Sequence, residues 1–175
     1  MFGGEAALED GDLGANLERF AMTSILLVCM GNICRSPMAQ TVAQKLAAET
    51  NIWGDLKFDS AGTHAFTSGQ RPDRRAMLAL SNRGYEMVHT FSRRVAQQDF
   101  EAYDLILAMD LNNLNALERV CPSVYQGKLR LLLSFAEGLN VTEIPDPYFG
   151  NAEGFERVLD LCEAGARGLI KHYTL

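Results

Sequence analysis

Apolar residues fall along this chain in short buried runs and one-sided stripes that alternate from residue 24 onward. Ile25 to Val28 is a continuous apolar run rich in branched side chains, the pattern of a strand covered on both faces. From Ser36 to about Glu49 the apolar residues Met38, Val42 and Leu46 return at helical spacing, and Ser36-Pro37 reads as the helix start, with Ser36 capping and Pro37 in the first turn. Leu56 to Ser60 predicts a second strand, Pro72 to Arg83 a helix stopped by Gly84, and Asp104 to Met109 a third, buried strand. Leu111 to Val120 follows as a helix ending before Pro122, and Lys128 to Leu133 reads as a fourth strand. A last helix begins near Asn151, with Phe155, Val158, Leu159, Cys162, Leu169, Ile170 and Tyr173 on one apolar face.

Repeated strand–helix units predict an α/β fold in three layers: a four-stranded, mainly parallel sheet with helices on both faces and ligands at the carboxyl ends of the strands. The chain of 175 residues, 47% hydrophobic, is the size of one domain with a real core. Residues 23–175 form that domain. Residues 1–22 differ: Glu5, Glu9, Asp10, Asp12 and Glu18 stand against Arg19 alone, a local charge of −4 with no strong period. They read as a disordered acidic tail without the basic start and apolar core of a signal peptide, and Met22 stands where translation could equally begin.

The loop between the first strand and the first helix carries the chemistry. Cys29-Met30-Gly31-Asn32-Ile33-Cys34-Arg35-Ser36-Pro37 places a cysteine and an arginine, separated by five residues, at a helix N-terminus. There the backbone N–H groups of Met30, Gly31, Asn32, Ile33, Cys34 and Arg35 can converge on an oxyanion, and the helix dipole and the Arg35 guanidinium add positive potential. The same field favours the thiolate of Cys29, the form that attacks. Gly31 and Asn32 are expected to supply unusual backbone angles, and Arg35 can grip two phosphate oxygens at once. The loop therefore reads as a phosphate-binding loop after the first strand, with its own nucleophile.

Cys-x5-Arg-Ser-Pro, together with Asp146-Pro147-Tyr148-Phe149-Gly150 far along the chain, resembles the two signatures of the low-molecular-weight protein tyrosine phosphatases. The resemblance covers residues 24 to the C-terminus. It implies hydrolysis of phosphotyrosine through a phosphocysteine, with Asp146 protonating the leaving oxygen and then taking a proton from the hydrolytic water. Such a positioned carboxyl contributes about 10²–10⁴ in rate, and Pro147 restricts the backbone on both of its sides. The resemblance further implies that Phe66 and Tyr148 wall the cleft, that Ser36, Asn32, Ser60 and His89 support the loop, and that Asp110 plays a supporting part; His89 reads equally as a surface or structural histidine. The Ser36 hydroxyl can reach the Cys29 sulfur. Cys34 has two readings, as the partner of a protective disulfide with Cys29 and as a small buried side chain.

Two relatives on the same scaffold give the competing readings. Arsenate reductases pass electrons through further closely spaced cysteines after the third strand, which this chain lacks; Cys121 and Cys162 read as structural. Phosphoarginine phosphatases carry threonine where this chain has Ile33. A non-enzymatic phosphopeptide binder would be expected to lack Cys29, Arg35 or Asp146. A net charge of −6 and a sequence pI near 5.1 argue against a nucleic-acid partner, and no apolar run approaches the ~20 residues of a membrane span. The chain is expected to be cytoplasmic and to need neither metal nor organic cofactor. Its implied partners are phosphotyrosine-containing proteins and, as a further candidate, a cognate tyrosine kinase; the oligomeric state stays open.

Overall fold

Four parallel strands order themselves β2-β1-β3-β4, so the first strand lies in the middle of the sheet and the chain moves outward from it on both sides. A computed structural model describes residues 22–66 and 68–174. Residues 1–21, on which the expectation of an acidic tail rests, lie outside the described residues.

The strands are β1 (Thr23–Cys29), β2 (Leu56–Gly62), β3 (Leu105–Ala108) and β4 (Leu129–Leu131); the helices are α1 (Arg35–Ala48), α2 (Arg74–Asn82), α3 (Gln97–Ala102), α4 (Leu111–Val120) and α5 (Ala152–Thr174). The two-residue pleat sorts β1 between two cores. Ile25, Leu27 and Cys29 pack into the layer of α1, α2 and α5, whereas Leu26 and Val28 face the layer that holds Phe100 of α3 and Leu117 of α4. Leu105 and Leu107 of β3 join the first core, and Ile106 and Ala108 the second. This is the expected three-layer α/β architecture, with a wholly parallel sheet.

Local departures from the expected elements have identifiable causes. Helix α1 begins at Arg35 with no side-chain cap, so Ser36 is not the N-cap; its hydroxyl is engaged with Cys29 instead. In α2 the cap is Asp73, whose carboxylate accepts the Arg75 N–H at 2.8 Å, and the helix starts two residues after the expected Pro72. Its end matches the expected stop: Gly84 takes φ 79° while the Tyr85 N–H returns to the Leu80 carbonyl. The fourth strand is shorter than its apolar run, because 3-10 turns over Ser123–Lys128 and Leu132–Phe135 take up both ends of this edge strand. Helix α3, of six residues, is too short to leave a periodic signature.

Candidate active site

Cys29 ends β1 at the carboxyl edge of the sheet, where β1 is flanked by β2 on one side and β3 on the other. In doubly wound sheets this crevice is where ligands bind. The loop from Met30 to Cys34 folds over the strand end and is pinned from outside by backbone bonds. Thr63 N–H reaches the Cys29 carbonyl, His64 and Ala65 N–H reach that of Met30, and Asp73 N–H reaches that of Ile33 at 2.8 Å. Gly62, opposite Cys29 in β2, makes this closeness possible: a Cβ there would stand 2.6 Å from the Met30 carbonyl oxygen. Within the loop the left-handed residue is Asn32, with φ 56°, whereas Gly31 has no positive φ. The expected special angle at Gly31 is absent because Asn32 alone makes the turn, helped by its own side chain.

That side chain uses both of its donors and its acceptor oxygen. Asn32 Nδ2 donates to Ser36 Oγ and to Ser60 Oγ, each at 3.0 Å, and Asn32 Oδ1 accepts the Arg93 N–H at 3.0 Å. Ser60 in turn donates to Gln40 Oε1 at 2.7 Å. Asn32, Ser36 and Ser60 come together as the resemblance implied. His89 does not join them: it is exposed in the segment after α2. Gln40, which sequence reasoning missed, closes the chain of bonds, and its signal was a polar residue one turn after Ser36 on a face that otherwise packs inward.

The Cys29 sulfur accepts the Asn32 N–H at 3.3 Å and lies 3.1 Å from Ser36 Oγ. Arg35 is 2% exposed, and its guanidinium is held by carboxylates on two sides. Nη1 donates to Asp110 and to the Ile144 carbonyl, the latter at 3.1 Å, and Nη2 donates to Asp146 Oδ2 at 3.0 Å. Burial works against the charge of Arg35, but the fields of Cys29 and Asp146 and the bond to Asp110 outweigh it, so the arginine is held protonated above its ordinary range. Asp110 also caps α4, accepting the Asn113 N–H at 2.7 Å. The Asn113 amide, buried to 1% exposure, satisfies both its ends when its nitrogen faces Asp110 and its oxygen accepts the Met30 N–H at 3.3 Å. In that arrangement the Met30 N–H points at Asn113. Asp110, expected in a supporting part, holds Arg35 and caps α4; Asn113 was missed, and its spacing of three residues from a capping aspartate was the available clue.

Asp146 is 44% exposed and opens a tight turn, where its Oδ1 accepts the Tyr148 N–H at 3.1 Å. Tyr148 is exposed beside it, with Phe149 edge-on, and Phe66 is 81% exposed and stacked on His64. Cys34 is buried as the helix cap residue and reduced, its thiol pushed up to about 12 by burial and then by the nearby Asp73 carboxylate. Cys162 lies in the core on the α5 side and Cys121 in the core on the α4 side, and both are reduced. Among the described residues no group of three or more His, Cys, Asp or Glu side chains is placed to hold a metal ion, and no helix is long and apolar enough to cross a membrane.

The family model described as low molecular weight phosphotyrosine protein phosphatase matches residues 24–174. The chain belongs to the low-molecular-weight phosphotyrosine protein phosphatase family. A human low molecular weight phosphotyrosine protein phosphatase is 37% identical over 152 residues, 86% of this chain and 96% of that protein. The Drosophila melanogaster low molecular weight phosphotyrosine protein phosphatase 2 is 36% identical over 159 residues, 90% of this chain and 96% of that one. Among solved structures, a protein tyrosine phosphatase from Entamoeba histolytica, crystallised with Hepes in its active site, superposes with a TM-score of 0.83 at 38% identity, covering 87% of this chain and 99% of that one. The enzyme class is therefore that of the protein tyrosine phosphatases, acting on phosphoric monoesters.

Proposed function

We propose that this phosphatase hydrolyses phosphotyrosine in proteins through a phosphocysteine on Cys29, with Asp146 as general acid and then general base. One observation carries the reading: the Cys29 sulfur, the Ser36 hydroxyl, the Arg35 guanidinium and the Asp146 carboxyl meet at the end of β1, joined by the bonds of Ser36 to Cys29 and of Arg35 to Asp146. With the Met30 N–H on Asn113 and the Asn32 N–H on the Cys29 sulfur, the other N–H groups of the loop and those at the start of α1 complete an oxyanion cradle.

In this scheme the phosphoryl oxygens take over the Arg35 Nη2 that pairs with Asp146, which releases the carboxyl toward the leaving oxygen. The Cys29 thiolate forms the S–P bond as the P–O bond breaks, and the departing phenolate takes the Asp146 proton. Water then attacks phosphorus and gives its proton to Asp146, and the S–P bond breaks to return the thiolate, with Ser36 donating to the departing sulfur. The balance is ester plus water to phenol plus phosphate. Loop, arginine, thiol and carboxyl suffice for it without metal or organic cofactor.

Phe66 and Tyr148 suit a planar phenyl ester, and the exposed surface beside them is where a phosphotyrosine protein, including a tyrosine kinase, would be met. Cytoplasmic residence is part of the same reading. The reading is tested by phosphate release from phosphotyrosine, phosphoserine and phosphoarginine peptides with the wild-type chain and Cys29→Ser, without added metal. Cys29-dependent release from phosphotyrosine alone is the expected result; preference for phosphoarginine, or release that survives in Cys29→Ser, refutes it.

A further inference from the structure

Asp146 carries the proton in the proposed mechanism, yet Arg35, which donates to its Oδ2 at 3.0 Å, is the group that a bound phosphoryl would claim. Something else must then hold the segment. We infer that Arg75 is a positioning residue for the proton-transfer steps, fixing the Asp146–Gly150 turn against the phosphate loop; the inference rests on the function proposed above.

Its neighbours lie on both sides of the cleft. Toward the loop, Arg75 places Nη2 on Asp73 Oδ2 at 2.8 Å and Nε on Oδ1 at 3.1 Å, and the Asp73 N–H is bonded to the Ile33 carbonyl within the phosphate loop. Toward the turn, the guanidinium carbon stands 5.6 Å from the centre of the Tyr148 ring and 4.7 Å from that of Phe155 at the start of α5, and Nη1 approaches the Gly150 carbonyl at 3.5 Å. Tyr148 is the residue whose N–H holds Asp146, and Gly150 closes the turn through its N–H on the Pro147 carbonyl at 2.9 Å. A forked, planar cation is needed for this geometry, because it pairs with a carboxylate through two N–H groups of one edge while its face lies on an aromatic ring. None of these contacts uses the phosphate site, so all survive when substrate displaces Asp146 from Arg35.

A residue that acts through Asp146 should matter only where Asp146 matters. The test is kcat/KM for phenyl phosphate, whose leaving oxygen needs a proton, and for a dinitrophenyl phosphate, whose leaving oxygen does not, in the wild type, Arg75→Ala, Asp146→Ala and the double variant. Misplacing a catalytic group by a fraction of its reach should lower the phenyl phosphate value about tenfold in Arg75→Ala and the dinitrophenyl value less than about threefold. In the Asp146→Ala background the Arg75 substitution should then cost nothing further. Equal losses on both esters, or a full additional loss in the double variant, overturn the inference. Should the alanine variant not fold, Arg75→Lys carries the same comparison, since it keeps the charge and loses the fork and the stacking. Failure of Asp146→Ala itself to distinguish the two esters would remove the proposed acid role, and the inference with it.

Discussion

Ser36 Oγ lies 3.1 Å from the Cys29 sulfur and accepts a hydrogen bond from Asn32 Nδ2 at 3.0 Å, so the serine's single proton is left for the sulfur or for the Ala61 carbonyl at 3.3 Å. The shorter contact is to the sulfur, and a thiolate is the stronger acceptor. Ser36→Ala should therefore slow breakdown of the phosphocysteine, where sulfur leaves with a negative charge. Hydrogen bonds to charged groups contribute about 1.5–3 kcal/mol, or roughly 10- to 100-fold in that step. Rapid mixing with an aryl phosphate should show a burst of phenol followed by slow turnover; an unchanged steady rate without a burst would assign Ser36 to packing alone.

Gly62 lets β2 pass beneath the phosphate loop. In Gly62→Ala the new methyl would meet the Met30 carbonyl oxygen at 2.6 Å and the Asn32 nitrogen at 3.1 Å, both backbone atoms with no freedom to turn aside. The loop must lift. An ångström-scale displacement of catalytic groups costs on the order of 10²-fold, so activity should collapse while far-UV circular dichroism stays native. Near-wild-type turnover would show that the loop tolerates the shift and that Gly62 is not required for its close approach.

Gly168 faces the opposite end of the problem, stability without catalysis. A Cβ on this residue of α5 would land on the carbonyl oxygen of Phe135, in the 3-10 turn that follows β4. Because both partners are backbone, α5 and that turn must part. Gly168→Ala should lower the unfolding free energy by about 3 kcal/mol, in the range of severe overpacking, read as a lower urea midpoint. An unchanged midpoint would mean that α5 slides freely over the turn.

Much of this molecule was legible beforehand because its signals are local and strong. The branched run at Ile25 to Val28, the stripe of α5 and the Gly84 stop each reflect one element's own geometry. Cysteine, arginine and serine of the loop come from one stretch, so their meeting needed no knowledge of the fold. The rest depends on distant pairings: Asp110 grips Arg35 from 75 residues away, and Arg93 joins Asn32 from 61. No periodicity encodes such pairs. His89, which the sequence left between loop support and a surface histidine, is exposed, and a histidine near the right place says nothing of which way its segment turns.

Arg35 Nη2 donates to Asp146 Oδ2 at 3.0 Å, so a bound phosphate would compete with the carboxylate for this donor. Replacing Asp146 with alanine removes both the competitor and a like charge. Inorganic phosphate should bind Asp146→Ala more tightly than wild type, and since the carboxyl is partly exposed and screened, the gain should be about 1 kcal/mol or less, up to roughly fivefold. Competitive inhibition constants at matched ionic strength decide the matter. Weaker phosphate binding in the variant would mean that Asp146 helps to hold the anion rather than competing with it.

Asp73 supplies a pH signature for the link between α2 and the loop. The Arg75 fork holds its carboxyl below the usual carboxylate range, burial opposes this in part, and the Arg75 N–H adds to the lowering. A carboxyl with a depressed folded-state value stabilises the fold at pH above the ordinary value of 3.8, and that contribution fades as pH falls from there through the depressed value. Asp73→Asn keeps a side-chain acceptor for the cap but has no charge to titrate. The variant should thus be less stable than wild type near neutrality, and the gap in urea midpoint should narrow as pH falls below about 4. A gap that stays constant from neutrality to pH ~3 would show that the pair with Arg75 contributes through geometry alone, because a charged contribution must disappear when the carboxyl is protonated.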